Sequence, residues 1–297
     1  SSLEEAIEIS CVYSAAGLLH EPGLVRQRPF RAPHHTISGV GLVGGGRGPH
    51  PGEVTLAHHG VLFLDEMAEF GRATLDVLRQ PLEDGSIVIT RAGRSIRMPA
   101  RFMLVGAMNP CPCGQLGRAD RPCECTPATV SNYRARTSGP LLDRFELQVE
   151  VPPLRAIDLR STGPGESSAS VSARVAAARR IQDKRYSGVG VATNSALTSG
   201  LLREHGRLDE AGVNLLRTAF ERLGLSLRAH DGILRVARTI ADLEGAAEIR
   251  PSHLAEAIQY RCLDRPGFRS LESHSHSSQV RPGDGSSFRR PPDGAVD

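Results

Sequence analysis

The stretch Val61-Leu62-Phe63-Leu64-Asp65-Glu66 decides the fold class. Four apolar residues followed at once by two acids are typical of a strand that is buried on both faces of a parallel sheet. In open α/β sheets ligands bind at the carboxyl ends of the strands, which is where Asp65 and Glu66 would lie. The pattern fits a Walker B motif, in which Asp65 would hold Mg²⁺ and Glu66 would orient the water that attacks the γ-phosphate of ATP. Many strands end in acids by chance, so the motif needs support from the rest of the chain.

A second apolar strand is predicted from Phe102 to Ala107, and Asn109-Pro110 follows it. An amide at that position could reach the attacking water or the γ-phosphate, which is the task of the sensor 1 residue in P-loop motors. The alternative is an ordinary Asn-Pro turn.

Further elements complete an α/β pattern around these two strands. An amphipathic helix is predicted over residues 4–19, with Ile7, Cys11, Ala15 and Leu18 near helical spacing, and another helix over residues 72–84. A β-hairpin is predicted over residues 87–98, and a third strand from Leu147 to Val151. Strands that alternate with helices indicate a three-layer α/β domain.

Beyond about residue 160 the strand signals disappear and helical periodicity replaces them. Helices are predicted over residues 170–186, 208–223, 230–244 and 251–261. The sequence therefore predicts an α/β core over residues 1–153, a linker over 154–169 and an all-α lid domain over 170–264. Residues 265–297 are rich in His, Ser, Pro, Gly and Arg with little to bury, and are predicted to form a disordered tail.

Two arginines are candidates for contact with nucleotide phosphates. Arg144, in Leu141-Leu142-Asp143-Arg144-Phe145, could stabilise transition-state charge in a neighbouring subunit as an arginine finger, or could form a surface pair with Asp143. Arg228 opens the predicted 230–244 helix, where a sensor 2 arginine would contact phosphate; an ordinary residue flanking a helix start is the alternative.

Composition limits the class of protein. The chain has 297 residues, of which 39% are hydrophobic and 23% are charged. This composition is ordinary for a soluble globular protein. No run approaches the roughly 18 apolar residues of a membrane span, and the first residues resemble neither a signal nor a transit peptide, so we expect a cytoplasmic protein without a membrane partner. Lys184 is the only lysine, and consequently the chain contains no GxxxxGK[ST] phosphate loop.

Two groups of residues could hold metal. Cys111, Cys113, Cys123 and Cys125 lie within fifteen residues, which suits a tetrahedral structural zinc site, although the CxC spacing leaves four reduced thiols in a mobile loop as the alternative. The pairs His34-His35 and His58-His59 are less suited. Adjacent side chains in a strand face opposite sides, so we expect these histidines to be loop and packing residues.

Several longer motifs together resemble the magnesium-chelatase-like ComM/YifB family of AAA+ ATPases. They are Arg28-Pro29-Phe30-Arg31-Ala32-Pro33-His34-His35-Thr36, Pro51 to Gly60 running into the acidic strand, Asn109-Pro110-Cys111-Pro112-Cys113-Gly114, Ser138 to Phe145, and Leu225 to Ala229 with Val236 to Leu243. They occur in family order and at family spacing from about residue 3 to about residue 264.

The resemblance implies an AAA+ P-loop NTPase core followed by a helical lid, with ATP and Mg²⁺ as cofactors. It assigns Asp65 and Glu66 to Walker B, Asn109 to sensor 1, Arg144 to the arginine finger and Arg228 to sensor 2. It makes the predicted hairpin a pore-facing element whose Arg91, Arg94 and Arg97 would contact DNA phosphates; solvated charges at a turn are the alternative. ComM-like proteins are expected to act as hexameric branch-migration helicases during recombination of incoming DNA.

The family pattern also places a ring-like N-terminal domain, a first sheet strand and a Walker A loop before the equivalent of Ser1. This chain lacks that loop, so it is expected to be a fragment with weak or no ATPase activity by itself. Three other functions remain open: a chelatase-type motor for metal insertion, a protease-associated AAA+ unfoldase, and a product without enzymatic activity that only binds a partner subunit.

Overall fold

The computed structural model describes residues 2–19, 23–46, 50–91, 94–118, 120–152 and 165–264. The predicted tail and residues 154–164 of the predicted linker lie outside these ranges.

The N-terminal part alternates helices and strands. In chain order its elements are α1 (Leu3–Ala15), β1 (Phe30–Arg31), α2 (Gly39–Val43), β2 (Gly44–Gly45), β3 (His50–Pro51), α3 (Glu53–Leu56), β4 (Val61–Leu64), α4 (Arg72–Asp76), α5 (Arg79–Asp84), β5 (Ser86–Arg91), β6 (Arg94–Pro99), β7 (Met103–Gly106), α6 (Pro127–Arg134) and α7 (Gly139–Leu142). A 3₁₀ turn, Met67–Glu69, follows β4.

The central feature is a parallel sheet with the strand order β1-β4-β7. Leu62 and Leu64 of β4 are fully buried against the core, as the sequence predicts. The expectation that β4 is covered on both faces is wrong for the described residues, because Val61 and Phe63 are only half-buried. Phe63 stacks on Phe30 at 6.0 Å between ring centroids, and this part of the second face is open.

Helix α1 buries a different face from the one predicted. Ile9 and Val12 are buried, whereas Ile7 and Cys11 are exposed. Apolar residues occur on both sides of this helix, so their spacing does not decide which side packs. The hydroxyl of Tyr13 donates to the carbonyl of Leu56 in α3 at 3.3 Å, which fixes the buried side.

The predicted hairpin forms from β5 and β6, which pair in register from Ser86 opposite Pro99 to Arg91 opposite Arg94. Ile87 and Met98 lie opposite each other and are buried in the core. The other face of the hairpin is directed to solvent.

The predicted third strand does not form. Between Leu147 and Val151 only Gln148 pairs with another segment, in an isolated bridge to Arg261. The N–H of Gln148 donates to the carbonyl of Tyr260 at 2.7 Å. The end of the lid therefore hydrogen-bonds to the backbone of a residue that the sequence pattern assigns to the sheet.

The lid contains α8 (Ser168–Arg185), α9 (Ser199–His205), α10 (Glu210–Leu223), α11 (Leu227–Glu244) and α12 (Pro251–Gln259). Helix α9 is not predicted from periodicity, because its seven residues are too few to show one; the hydroxyl of Thr198 caps it by accepting the N–H of Leu201. The helices enclose an aliphatic core that includes Leu216, Ile233, Ala237 and Leu254.

Buried polar contacts join the lid to the core. The Arg261 side chain is 2% exposed, and it donates to the carbonyl of Phe145 and to Asp264, each at 2.6 Å. Arg235 of α11 pairs with Glu146 at 3.0 Å. Among the described helices, none combines the length and the apolar character that crossing a bilayer requires.

Candidate functional site

The predicted acids and the predicted sensor lie at one edge of the sheet. Asp65 and Glu66 follow the last residue of β4, and both are exposed. The neighbouring parallel strand β7 ends beside them, since the N–H of Ala107 donates to the carbonyl of Leu64 at 3.0 Å. Asn109 comes two residues after Ala107. The fold thus places two carboxylates at the edge where open α/β sheets bind ligands, and Asn109 follows the neighbouring strand at the same edge.

Glu66 has a backbone conformation that non-glycine residues rarely adopt. Its φ and ψ are 50° and 43°, in the left-handed region, which costs roughly 1–3 kcal/mol and is concentrated at functional sites. Its N–H donates to Asp65 Oδ1 at 2.9 Å, and its Oε2 lies 3.2 Å from His35 Nδ1. The strained turn aims the Glu66 side chain back toward the loop that carries His35.

His35 is therefore more than the packing residue that the sequence suggested. Its ring lies edge-on to Phe70 at 6.4 Å between centroids and close to the His34 ring at 4.1 Å. These neighbours hold it against Glu66. The family motif containing Pro33-His34-His35 marked this residue, but no rule of spacing pairs it with an acid thirty-one positions later.

Asn109 is exposed and lies beside Gly114, where a Cβ atom would be 3.8 Å from the Asn109 side chain, an ordinary contact distance. Glycine is favoured at position 114 by its positive φ of 72° and not by lack of space. Tyr133 of α6 is buried close to the Asn109 backbone. Burial raises the pKa of Tyr133, which therefore stays protonated.

Arg144 and Arg228 meet on one carboxylate that the sequence analysis did not single out. Each guanidinium donates from its Nη2 to Oε1 of Glu83, on α5. Desolvation would raise the pKa of Glu83, but the two arginines outweigh it and lower this pKa. Arg144 is nearly buried whereas Arg228 is half-exposed. In the described residues no contact joins either arginine to Asp65 or Glu66.

The hairpin offers Arg97 on its solvent face, opposite Val88, with its Nε donating to Ser86 Oγ at 2.9 Å. Arg91 and Arg94 pair at the end of the ladder, and their side chains lie outside what the structure describes.

The four clustered cysteines converge. Cys111 Sγ lies 3.4 Å from Cys113 Sγ and 3.7 Å from Cys123 Sγ, and the latter two are 3.6 Å apart. All four Sγ atoms, including that of Cys125, lie within 4.8 Å of one another. Cys111 is fully buried, and none of the four is in a disulfide.

His58 and His59 also converge, contrary to the expectation from strand alternation. They lie in a turn before β4, and His59 has a φ of 57°, so both rings face Glu8 of α1 at 2.9 and 2.7 Å. His58 Nδ1 accepts the N–H of Arg101, so the proton of the neutral ring is on Nε2, the atom that meets Glu8. Hydrogen bonds with His59 and His58 lower the pKa of Glu8. The contacts of Glu8 with the two histidines hold α1 against the turn that precedes β4.

Models of known protein families match both parts of the chain. The model described as magnesium chelatase, subunit ChlI, matches residues 1–159, and that of the ChlI C-terminal region matches residues 165–261. The chain belongs to the magnesium chelatase ChlI family. The observed parallel α/β core followed by a helical domain is the AAA+-like fold of ChlI proteins.

Within the ChlI family the chain is similar to ComM/YifB proteins. It is 49% identical over 242 residues to competence protein ComM of Haemophilus influenzae, covering 81% of this chain and 46% of the relative. It is 46% identical over 266 residues to the uncharacterized protein YifB of Escherichia coli, covering 89% and 51%. Identity to the magnesium-chelatase 38 kDa subunit of Acidiphilium rubrum is 30% over 245 residues, 77% of this chain and 61% of that subunit. The chain thus spans about half the length of the first two relatives.

Proposed function

We propose that this chain carries the hydrolytic centre of an ATP-driven AAA+ motor that acts on DNA, as a hexameric branch-migration helicase in recombination of incoming DNA. The observation that supports hydrolysis most directly is that Asp65 and the strained Glu66 lie at the carboxyl end of β4, beside the end of the parallel strand that Asn109 follows. The choice of DNA rests on the higher identity to a competence protein than to a chelatase subunit. A cytoplasmic location is part of the proposal.

The donor set fits Mg²⁺ and a nucleotide phosphate. Asp65 and Glu66 are exposed carboxylates, the hard oxygen ligands that Mg²⁺ prefers. Mg²⁺, when bound, neutralises charge on the β- and γ-phosphates. Asp65 would hold the ion, Glu66 would take up and orient water, and Asn109 would position the same water or the terminal phosphate. His35 would fix the Glu66 carboxylate between turnovers.

Arg144 and Arg228 have to exchange partners in order to serve as arginine finger and sensor 2. Both donate to Glu83 in this structure. A phosphate group offers the same acceptor chemistry with more negative charge, so we propose that it competes with Glu83 for these arginines. Because Arg144 would act on a neighbouring subunit, the proposal includes self-association into a ring.

The main alternative is a chelatase-type motor for metal insertion, which the similarity to the 38 kDa subunit of magnesium chelatase supports. A protease-associated unfoldase would share the same hydrolytic residues. The two alternatives differ from a DNA motor in the substrate that stimulates hydrolysis.

The decisive test measures ATP hydrolysis by the full gene product, with and without branched DNA. This 297-residue chain is the control. We expect DNA to stimulate the full product and the 297-residue chain to be inactive, because its sequence contains no phosphate loop. Hydrolysis indifferent to DNA would favour the chelatase or unfoldase alternatives. Hydrolysis by the short chain would contradict the requirement for that loop.

The hairpin arginines give a separate prediction. Replacing Arg91, Arg94 or Arg97 by Ala should weaken DNA binding similarly for all sequences, and should flatten the dependence of log Kd on log salt by about one unit for each lost phosphate contact. Fluorescence anisotropy at several salt concentrations measures both effects. Arg174→Ala, which removes an exposed arginine of the lid, is the control. Binding that is unchanged in all three variants would remove the hairpin from the interface.

A further inference from the structure

The loop between β7 and α6 contains a site that the proposed hydrolytic chemistry does not use. Its four thiols come from two CxC pairs, Cys111 with Cys113 and Cys123 with Cys125, nine residues apart. The question is whether their distances indicate disulfides, unrelated thiols or ligands of one ion.

The distances fit a common centre. Zinc–sulfur bonds of about 2.3 Å at the corners of a tetrahedron place neighbouring sulfurs about 3.8 Å apart. The measured Sγ separations are 3.4, 3.6 and 3.7 Å, and the fourth sulfur is within 4.8 Å of the others. A disulfide requires about 2.05 Å. The cysteines are therefore arranged as four ligands around a point, not as two covalent pairs.

The surroundings of the sulfurs also suit thiolates. The guanidinium of Arg134 lies close enough to interact electrostatically with Cys111, and its Nε donates to the carbonyl of Pro110 at 3.3 Å.

We propose that Cys111, Cys113, Cys123 and Cys125 bind one structural Zn²⁺ ion. Four soft thiolates select zinc over Mg²⁺ or Ca²⁺, and a closed set of four ligands is typical of a structural site. The ion closes the loop from residue 111 to residue 125 onto α6. Gly114 inside this loop lies beside Asn109, since a Cβ atom at Gly114 would be 3.8 Å from the Asn109 side chain. The ion therefore also fixes the surface next to Asn109; this last role rests on the proposed function.

The first test is the metal content of the 297-residue chain, purified under reducing conditions without metal-affinity chromatography. Plasma mass spectrometry should find about one zinc per chain in the wild type and in Cys11→Ser, whose thiol is exposed and outside the cluster. Cys111→Ser and Cys125→Ser should lose most of it. Equal zinc in all four proteins, iron in place of zinc, or no metal in the wild type would overturn the proposal.

The second test uses the wild-type protein alone, so its result does not depend on whether a variant folds. Zinc is removed from the wild type with a chelator, and Co²⁺ is titrated in its place. A tetrahedral four-thiolate site gives intense visible absorption and sulfur-to-cobalt charge transfer, which zinc then displaces. Hydrogen exchange should quicken in residues 111–125 on chelation and remain unchanged in α11. A weak octahedral cobalt spectrum, or exchange unaffected by the chelator, would overturn the site without touching the proposed ATPase.

Discussion

Glu66→Gln in the full gene product should lower the rate of ATP hydrolysis by about 100-fold or more, the usual contribution of a positioned catalytic base, while leaving ATP binding in place. Gln has the same size as Glu and the same difficulty with a φ of 50°, so the strained turn after β4 is unchanged. The amide cannot accept a proton from water. Asp65, which would hold Mg²⁺, stays available for the nucleotide. Steady-state hydrolysis and equilibrium binding of a fluorescent ATP analogue measure the two effects separately.

Glu69→Gln is the matched control, because Glu69 ends the 3₁₀ turn after Glu66, is exposed, and pairs through its carboxylate with Arg136 on the surface. We expect hydrolysis close to wild type in this variant. Equal activity in Glu66→Gln and Glu69→Gln would show that Glu66 does not activate water. Loss of ATP binding together with hydrolysis in Glu66→Gln would assign the residue to binding.

The largest expected loss of stability comes from Asp242→Asn in the lid. The Asp242 side chain is fully buried and accepts hydrogen bonds from Arg185 at 2.5 and 2.9 Å, from Arg238 at 3.2 Å and from Asn194 at 2.9 Å. The Asn variant keeps the shape but leaves two guanidinium charges without a counter-charge. Removing one partner of a buried ion pair costs about 3–5 kcal/mol. Urea unfolding followed by circular dichroism should show this decrease.

Glu166→Gln provides the comparison, since Glu166 pairs with Arg174 at 2.7 Å on the surface of the same domain. An exposed pair contributes little to stability, because water and salt screen its charges, so this variant should unfold close to wild type. If the two variants unfold at the same urea concentration, the buried network does not stabilise the lid.

The same carboxylate predicts a pH dependence. Burial would raise the pKa of Asp242, but the hydrogen bonds from Arg185 and Asn194 and the charge of Arg238 outweigh it and lower this pKa. The unfolded chain therefore binds the proton more tightly than the folded one. The contribution of Asp242 is complete above its unfolded pKa of about 3.9 and is lost as pH falls through the lower folded value. Asp242→Asn should lack this part of the acid transition.

The sequence was most informative where a pattern is local. The apolar run ending in Asp65-Glu66 predicted a parallel strand with acids at its carboxyl end, and β4 confirms this. Long amphipathic helices such as α11 were also predicted, because eighteen residues show their period clearly. Short elements were not predicted. Helix α9 is too brief to show a period. Residues 147–151 have a strand-like composition, but only Gln148 among them pairs, and it pairs with Arg261 at the end of the lid.

Sequence alone determined the fold class, the family resemblance and the residue types available for chemistry: acids after β4, an amide after β7, four cysteines in one loop. Only the tertiary structure decided which of them meet. It placed His35 on Glu66, and Arg144 and Arg228 together on Glu83 although 145 residues separate Arg228 from that acid. It turned His58 and His59 toward the same carboxylate and brought four sulfurs around one point. The physical reason is that periodicity and propensity act over a few residues, whereas these contacts depend on how whole elements pack.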